Sequence, residues 1–101
     1  MSKILANDGI SDSGKIALEE KGFQVITEKV DQENLIKTIN KEDIKVLLVR
    51  SATTARKELI DACPNLKIIG RGGVGMDNID VEYAKEKGLE VDQDGFKIAL
   101  E

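Results

Sequence analysis

The stretch Leu66–Asp80, LKIIGRGGVGMDNID, joins a strand end, Leu66 to Ile69, to a loop with four glycines in six positions, Gly70 to Gly75. Glycine orders at a higher entropic cost than any other residue, so this density predicts positive φ angles or a close approach of the main chain to a ligand. After the glycines, Asp77, Asn78 and Asp80 are turn and cap residues. They place the next helix at Val81–Lys87, with Asp80 as its N-cap and Gly88 as its stop. A strand, a wide binding loop and a helix therefore follow one another.

Working outward, Pro64 ends a helix that Thr54 is expected to cap and whose Leu59, Ile60 and Cys63 form one apolar stripe. Before it, Lys45–Val49 is the continuous aliphatic run of a central parallel strand. Leu35, Ile36 and Ile39 mark a helix capped by Asp31, and Phe23–Thr27 is the strand before that. Lys3–Ala6 opens the chain as a strand, followed by a helix capped by Ser11 or Ser13 that reaches about Lys21 and stops at Gly22. Leu89–Val91 supplies a fifth strand. The strand starts at Ile4, Phe23, Val46, Leu66 and Leu89 lie 19, 23, 20 and 23 residues apart. That is the pitch of βα units, and it predicts a parallel sheet with right-handed crossovers. The tail is expected to turn at Asp92–Gly95 and form a short helix, because Phe96, Ala99 and Leu100 share a helical face.

Composition narrows the function. A chain of 101 residues is expected to be one domain, 1–101. Its 15 basic and 19 acidic residues leave a net charge of −4, which gives no general attraction to nucleic acid or to an anionic membrane. The longest run of large aliphatics, Val46–Val49, is far too short to span a bilayer, and a cytoplasmic protein is expected. There is no histidine and only one cysteine, Cys63, which reads as a buried apolar residue. Without histidine or a cysteine cluster a transition-metal site is not expected.

Ligands of an open parallel sheet bind beyond the carboxyl ends of its strands, where strand order reverses. With the order 2-1-3-4-5, that edge gathers Asn7 and Asp8, Arg50 to Thr54, and Arg71 to Asn78. Two arginines, three hydroxyls and a row of glycine N–H groups suit a small carboxylate or phosphate. The plainer alternative ties Arg50 to a neighbouring aspartate and leaves the threonines as helix caps. Gly70, Gly72 and Gly75 also spell G-x-G-x-x-G, with Glu90 about twenty residues on. A small nucleotide-binding module using the Gly70–Gly75 loop is therefore the second reading, although the expected helix opens too late to face a pyrophosphate. A phosphorylated receiver domain is a third. It needs an aspartate after strand 3, where Arg50 stands.

Arg50-Ser51-Ala52-Thr53, Glu58-Leu59-Ile60-Asp61 and the whole of Asn65–Asp80 closely resemble the D-2-hydroxyacid dehydrogenases, most of all the 3-phosphoglycerate dehydrogenases. The resemblance runs from about Lys3 to Val91. It implies a substrate-binding domain with a flavodoxin-like fold: a three-layer α/β sandwich whose five-stranded parallel sheet has the order 2-1-3-4-5 and helices on both faces. It also implies that Arg50, Ser51 and Thr53 lie near the substrate's anionic groups, and that the main chain at Gly73, Val74 and Gly75 meets the substrate carboxylate. The family's NAD fingerprint and its catalytic Arg, Glu and His belong to a separate, downstream nucleotide-binding domain. No catalytic residue and no cofactor site is therefore expected in this chain. Residues 92–101 are read as a short substitute for the family's C-terminal return segment, with the nucleotide-binding domain removed. The resemblance thus implies a non-catalytic domain with at most weak affinity for a small phosphorylated or 2-hydroxy/2-oxo acid. A monomer is expected, with a homodimer the alternative.

Overall fold

The computed structural model describes residues 3–10, 12–50, 53–71 and 79–92. Their elements are β1 (Lys3–Ala6), α1 (Asp12–Glu20), β2 (Gln24–Ile26), α2 (Gln32–Glu42), β3 (Ile44–Val49), α3 (Lys57–Ala62), β4 (Ile68–Arg71), α4 (Val81–Glu86) and β5 (Glu90–Asp92). The strands form one sheet of order β2-β1-β3-β4-β5, parallel at every pairing. This is the flavodoxin-like order that the family resemblance implies.

Strand alternation divides the core between the two faces of the sheet. Ile4, Val46 and Ile68 lie in one row, and they pack with Leu18 of α1. Leu5, Leu47 and Ile69 form the neighbouring row on the opposite face, under Leu35 and Ile39 of α2, Leu59 and Ile60 of α3 and Ala84 of α4. β3 is the middle strand and serves both clusters, so Val46 to Val49 are all buried. Each such aliphatic side chain contributes roughly 1.5–3 kcal/mol of burial free energy. Cys63 belongs to the larger cluster, and burial raises its thiol pKa to about 11, so it is no nucleophile near neutral pH.

Several boundaries differ from the expected ones, each for a local reason. α1 begins at Asp12, so Ser13 lies within its first turn and does not cap it; Ser11 lies outside the described residues. Asp31 is the N-cap residue of α2, but its carbonyl, not its side chain, receives the Asn34 N–H. α3 starts at Lys57, not after Thr54, because Ala55 is taken into a parallel bridge with Ile79. β4 starts two residues late, since the Leu66 N–H turns back to the Cys63 carbonyl after Pro64, and it runs on through Gly70 to Arg71. Gly22 and Gly88 end α1 and α4 with φ of +95° and +86°, as their glycine identity requires. The short helix expected over 96–101 lies outside the described residues.

Candidate functional site

Four loops leave the carboxyl ends of β1 to β4, and a polar hub at the β1/β3 switch point ties three of them together. Asn7 stops β1 by extending its hydrogen-bonding outward. Its Nδ2 donates to the Val30 carbonyl and to Thr53 Oγ1, both at 3.0 Å, and its Oδ1 accepts the Val30 N–H at 2.7 Å. The side chain is thus a small strand segment made of one amide, and Asn7 is only 2 % exposed.

Asp8 beside it collects donors only. Its Oδ2 accepts the N–H groups of Arg50 (2.7 Å) and Thr53 (3.0 Å), and its Oδ1 accepts the Thr53 hydroxyl (2.6 Å) and the Lys29 ammonium (2.5 Å). Burial alone would raise the carboxyl pKa. The hydrogen bonds from Lys29, from the Thr53 hydroxyl and from the two N–H groups outweigh that and hold it at about 2. Asp8 is a fixed negative charge at any physiological pH.

The chain after β3 is pinned further along. Gln32, the first residue of α2, pairs with the main chain of Thr54 twice, donating to its carbonyl at 3.0 Å and accepting its N–H at 2.9 Å. Beyond it Ala55 bridges Ile79, and the Asp80 N–H donates to the Ala55 carbonyl at 3.1 Å. The Asp80 carboxylate then accepts the Lys57 N–H at 2.9 Å and Arg56 Nη1 at 3.2 Å. Asp80 stands at the N-cap position of α4, yet its side chain serves α3. At the sheet, Val49 pairs with Arg71. The segments after β3 and β4, called arches below for their paired ends alone, therefore have common feet: Val49–Arg71 where they leave the sheet, and Ala55–Ile79 where they return.

Among the expected site residues, Arg50 follows β3 directly and is exposed, with its N–H on Asp8. Thr53 is 1 % exposed, and its hydroxyl donates to Asp8 and accepts from Asn7. Ser51, Gly73, Val74 and Gly75 lie outside the described residues. The sequence placed Asn7 and Asp8 at this edge without a role, and it gave no sign of Lys29. Lys29 stands at the rim with half of its side chain exposed, 3.4 Å from Thr53 Oγ1. Among the described residues no group of three or more potential ligands could hold a metal ion, and no helix is long and apolar enough to cross a membrane.

Among the described residues, no helix end meets the glycine pattern. Gly70 lies inside β4, paired with Leu48 on one side and Asp92 on the other, and α4 opens only at Val81. α4 thus opens six residues after the third glycine of the pattern, whereas a pyrophosphate needs the helix end at the glycines.

Comparison with known proteins gives the family and the fold. Residues 4–93 match the family model described as D-isomer specific 2-hydroxyacid dehydrogenase, catalytic domain. A hydroxypyruvate reductase of Thermotoga maritima is 40 % identical over 90 residues, which cover 88 % of this chain and 29 % of the reductase. A D-3-phosphoglycerate dehydrogenase of Methanocaldococcus jannaschii is 43 % identical over 91 residues, 90 % of this chain and 17 % of that enzyme. The chain therefore spans less than a third of the length of these relatives. Among solved structures, the NAD+-bound 3-phosphoglycerate dehydrogenase of Entamoeba histolytica superposes with a TM-score of 0.71 at 28 % identity, covering 90 % of this chain and 32 % of that one. On the match of its residues 4–93, the chain belongs to the D-isomer specific 2-hydroxyacid dehydrogenase family.

Proposed function

We propose that this chain is a substrate-binding domain of the 3-phosphoglycerate dehydrogenase type, a single unit that holds a small 2-hydroxy or 2-oxo acid at the mouth between its two arches. The observation that carries this reading is the pair of shared feet, Val49–Arg71 and Ala55–Ile79, between which the sequence runs through Arg50 and Ser51 after β3 and through Gly73, Val74 and Gly75 after β4. In this reading the Arg50 guanidinium and the Ser51 hydroxyl bind the phosphate or carboxylate, and the main-chain N–H groups at Gly73, Val74 and Gly75 donate to the carboxylate. Thr53 serves the same site by fixing its arch to Asn7 and Asp8. Lys29 adds a cation at the rim. The phosphoglycerate class is favoured because the M. jannaschii relative bears that name at 43 % identity.

On its own the chain binds and does not turn over. Hydride transfer requires a positioned nicotinamide and a proton donor. The described residues form no dinucleotide site, and the chain has no histidine. NAD would belong to a separate nucleotide-binding domain. A cytoplasmic setting accords with the single buried thiol.

The test is an amide NMR titration of the chain with 3-phosphoglycerate and, separately, with NAD. Saturable shifts at Arg50 and around Gly73–Gly75 are expected with the acid, with a dissociation constant on the order of 1 mM for such a small, half-enclosed ligand. Arg50→Ala should weaken that binding about tenfold. Shifts caused by NAD at Gly70–Gly75 would instead support the nucleotide-module reading. Silence at Arg50 and at the glycines would end the substrate reading.

A further inference from the structure

We infer that Asp8 is an internal anion: its carboxylate fills an oxyanion cradle at the β1/β3 switch point, formed by the N–H groups of Arg50 and Thr53, the Thr53 hydroxyl and the Lys29 ammonium. It thereby fixes the position of the arch that carries Arg50 and Ser51. The consequence for a substrate rests on the function proposed above; the cradle itself does not.

The donor set is that of a ligand site. Two main-chain N–H groups converge on Oδ2, and a hydroxyl and an ammonium converge on Oδ1. Converging amides with a hydroxyl and a cation are what proteins offer to a bound carboxylate or phosphate. Open α/β sheets place such ligands at the switch point. Here the anion comes from the chain itself, and its donors come from 21, 42 and 45 residues away in sequence. The Asp8 side chain is 4 % exposed, whereas that of Lys29, its charge partner, is 52 % exposed. Among the described residues no buried side-chain polar atom lacks a partner, so the cradle is fully satisfied.

Charge is what distinguishes Asp8 from an ordinary loop clamp. Asn7 performs the ordinary task next door with one amide that both donates and accepts. Every group facing Asp8 donates, so an amide there would set an NH2 against donors. Asp8 is accordingly a positioning residue. An external anion finds the switch point taken and is directed outward toward Arg50, which is exposed. A substrate site built on this chain is thus displaced from the usual crevice by one internal carboxylate.

The cradle can be emptied and refilled. Asp8→Ala removes the carboxylate and keeps Cβ, which leaves room for formate. The thermal midpoint of D8A should fall by about 10–20 °C, since several buried donors lose their acceptor. Formate should then recover about 5 °C more than chloride at equal ionic strength, as expected of an anion that binds the folded state. D8N keeps the space filled and should show no formate-specific gain, which separates cradle binding from a general salt effect. Equal midpoints of D8A in formate and chloride, or the same gain in D8N, would overturn the inference. If D8A stays unfolded in both salts, the amide spectrum of D8N decides: the N–H protons of Arg50 and Thr53 should move upfield more than any others in the molecule, and unmoved signals refute the cradle. 3-Phosphoglycerate distinguishes the two claims. Formate rescue without any 3-phosphoglycerate shift in the unaltered chain would sink the substrate reading and support the internal anion. When both hold, formate should also restore the ligand-induced shift at Arg50 in D8A, an effect that a merely structural role would not produce.

Discussion

Asp8 and Asp80 grip the same segment of chain from opposite ends, and they do so in different surroundings. Each accepts main-chain N–H groups from the stretch after β3: Asp8 takes those of Arg50 and Thr53, and Asp80 takes that of Lys57. Each also faces a cation, Lys29 for Asp8 and Arg56 for Asp80. The Asp8 side chain is closed off from water, however, while a third of that of Asp80 is open to it. Water screens the exposed pair and can replace its partners, so the same bonds count for less there. The chain after β3 is therefore anchored firmly at Arg50 and Thr53 and held more loosely at Lys57, where it enters α3.

Alanine at the two positions tests this difference most strongly. D8A should lose about 2–4 kcal/mol of stability, because a buried charge-assisted network is broken and its donors are left without an acceptor. D80A should lose clearly less. Urea denaturation with unchanged m-values measures both. An equal or greater loss in D80A would show that burial is not what separates the two anchors.

Acid should sharpen the contrast. The Asp8 carboxyl is held at about 2, below its ordinary 3.8, so its contribution is complete above pH 4 and disappears as pH falls through 2. The shift corresponds to something on the order of 2 kcal/mol. Asp80 is displaced in the same direction, chiefly by the Lys57 N–H with Arg56 in support and against a burial effect, so it too adds stability that acid removes. D8N should flatten most of the acid limb of the stability profile between pH 4 and 2. A limb as steep as that of the unaltered chain would assign acid sensitivity elsewhere.

Thr53→Val comes next in size. It removes the hydroxyl that donates to Asp8 and accepts from Asn7, while keeping shape and volume. A loss of about 1–2 kcal/mol is expected, smaller than for D8A because the two N–H donors and Lys29 still hold the carboxylate. A loss equal to that of D8A would place the centre of the hub on Thr53.

The same difference governs what the sequence could reveal. The succession of βα units follows from features visible in short windows, namely aliphatic runs at a steady pitch, Gly22 and Gly88 as helix stops, and Pro64 before β4, whereas the sheet order is what the family resemblance implies. The start of α3 does not. Thr54 is the natural local cap, but Asp80, 23 residues beyond Lys57, takes that task, and Ala55 is held extended by Ile79. Arg50 and Thr53 were legible as candidates because they sit in a recognisable motif after a strand. Their holder was not, since Asn7-Asp8-Gly9 looks like any turn and its partners lie on other loops. Local chemistry announces itself in sequence; a carboxylate whose donors come from two distant loops becomes visible only when the sheet has aligned those loops.

The smallest expected effect lies at the loose end, and a single chromophore reports it. Tyr83 is the only tyrosine and there is no tryptophan, so the phenolate absorbance of the whole protein belongs to that residue. Its hydroxyl donates to Asp61 at 2.6 Å, joining α4 to α3, while the ammonium groups of Lys57 and Lys87 lie 5.0 and 5.4 Å from its ring centroid. The hydrogen bond to Asp61 raises the phenol pKa, with lesser contributions from burial and from the charges of Asp61 and Glu86. The neutral phenol is thus the form the folded state favours. Its contribution is present below the ordinary tyrosine pKa and is lost as pH rises through the raised one. Asp61→Asn should bring the spectrophotometric midpoint down toward the ordinary value and leave the thermal midpoint nearly unchanged, as is usual for an exposed pair. A midpoint that stays raised in D61N would mean that burial and Glu86 set it, leaving the Lys57–Asp80 bond as the principal polar tie between α3 and α4.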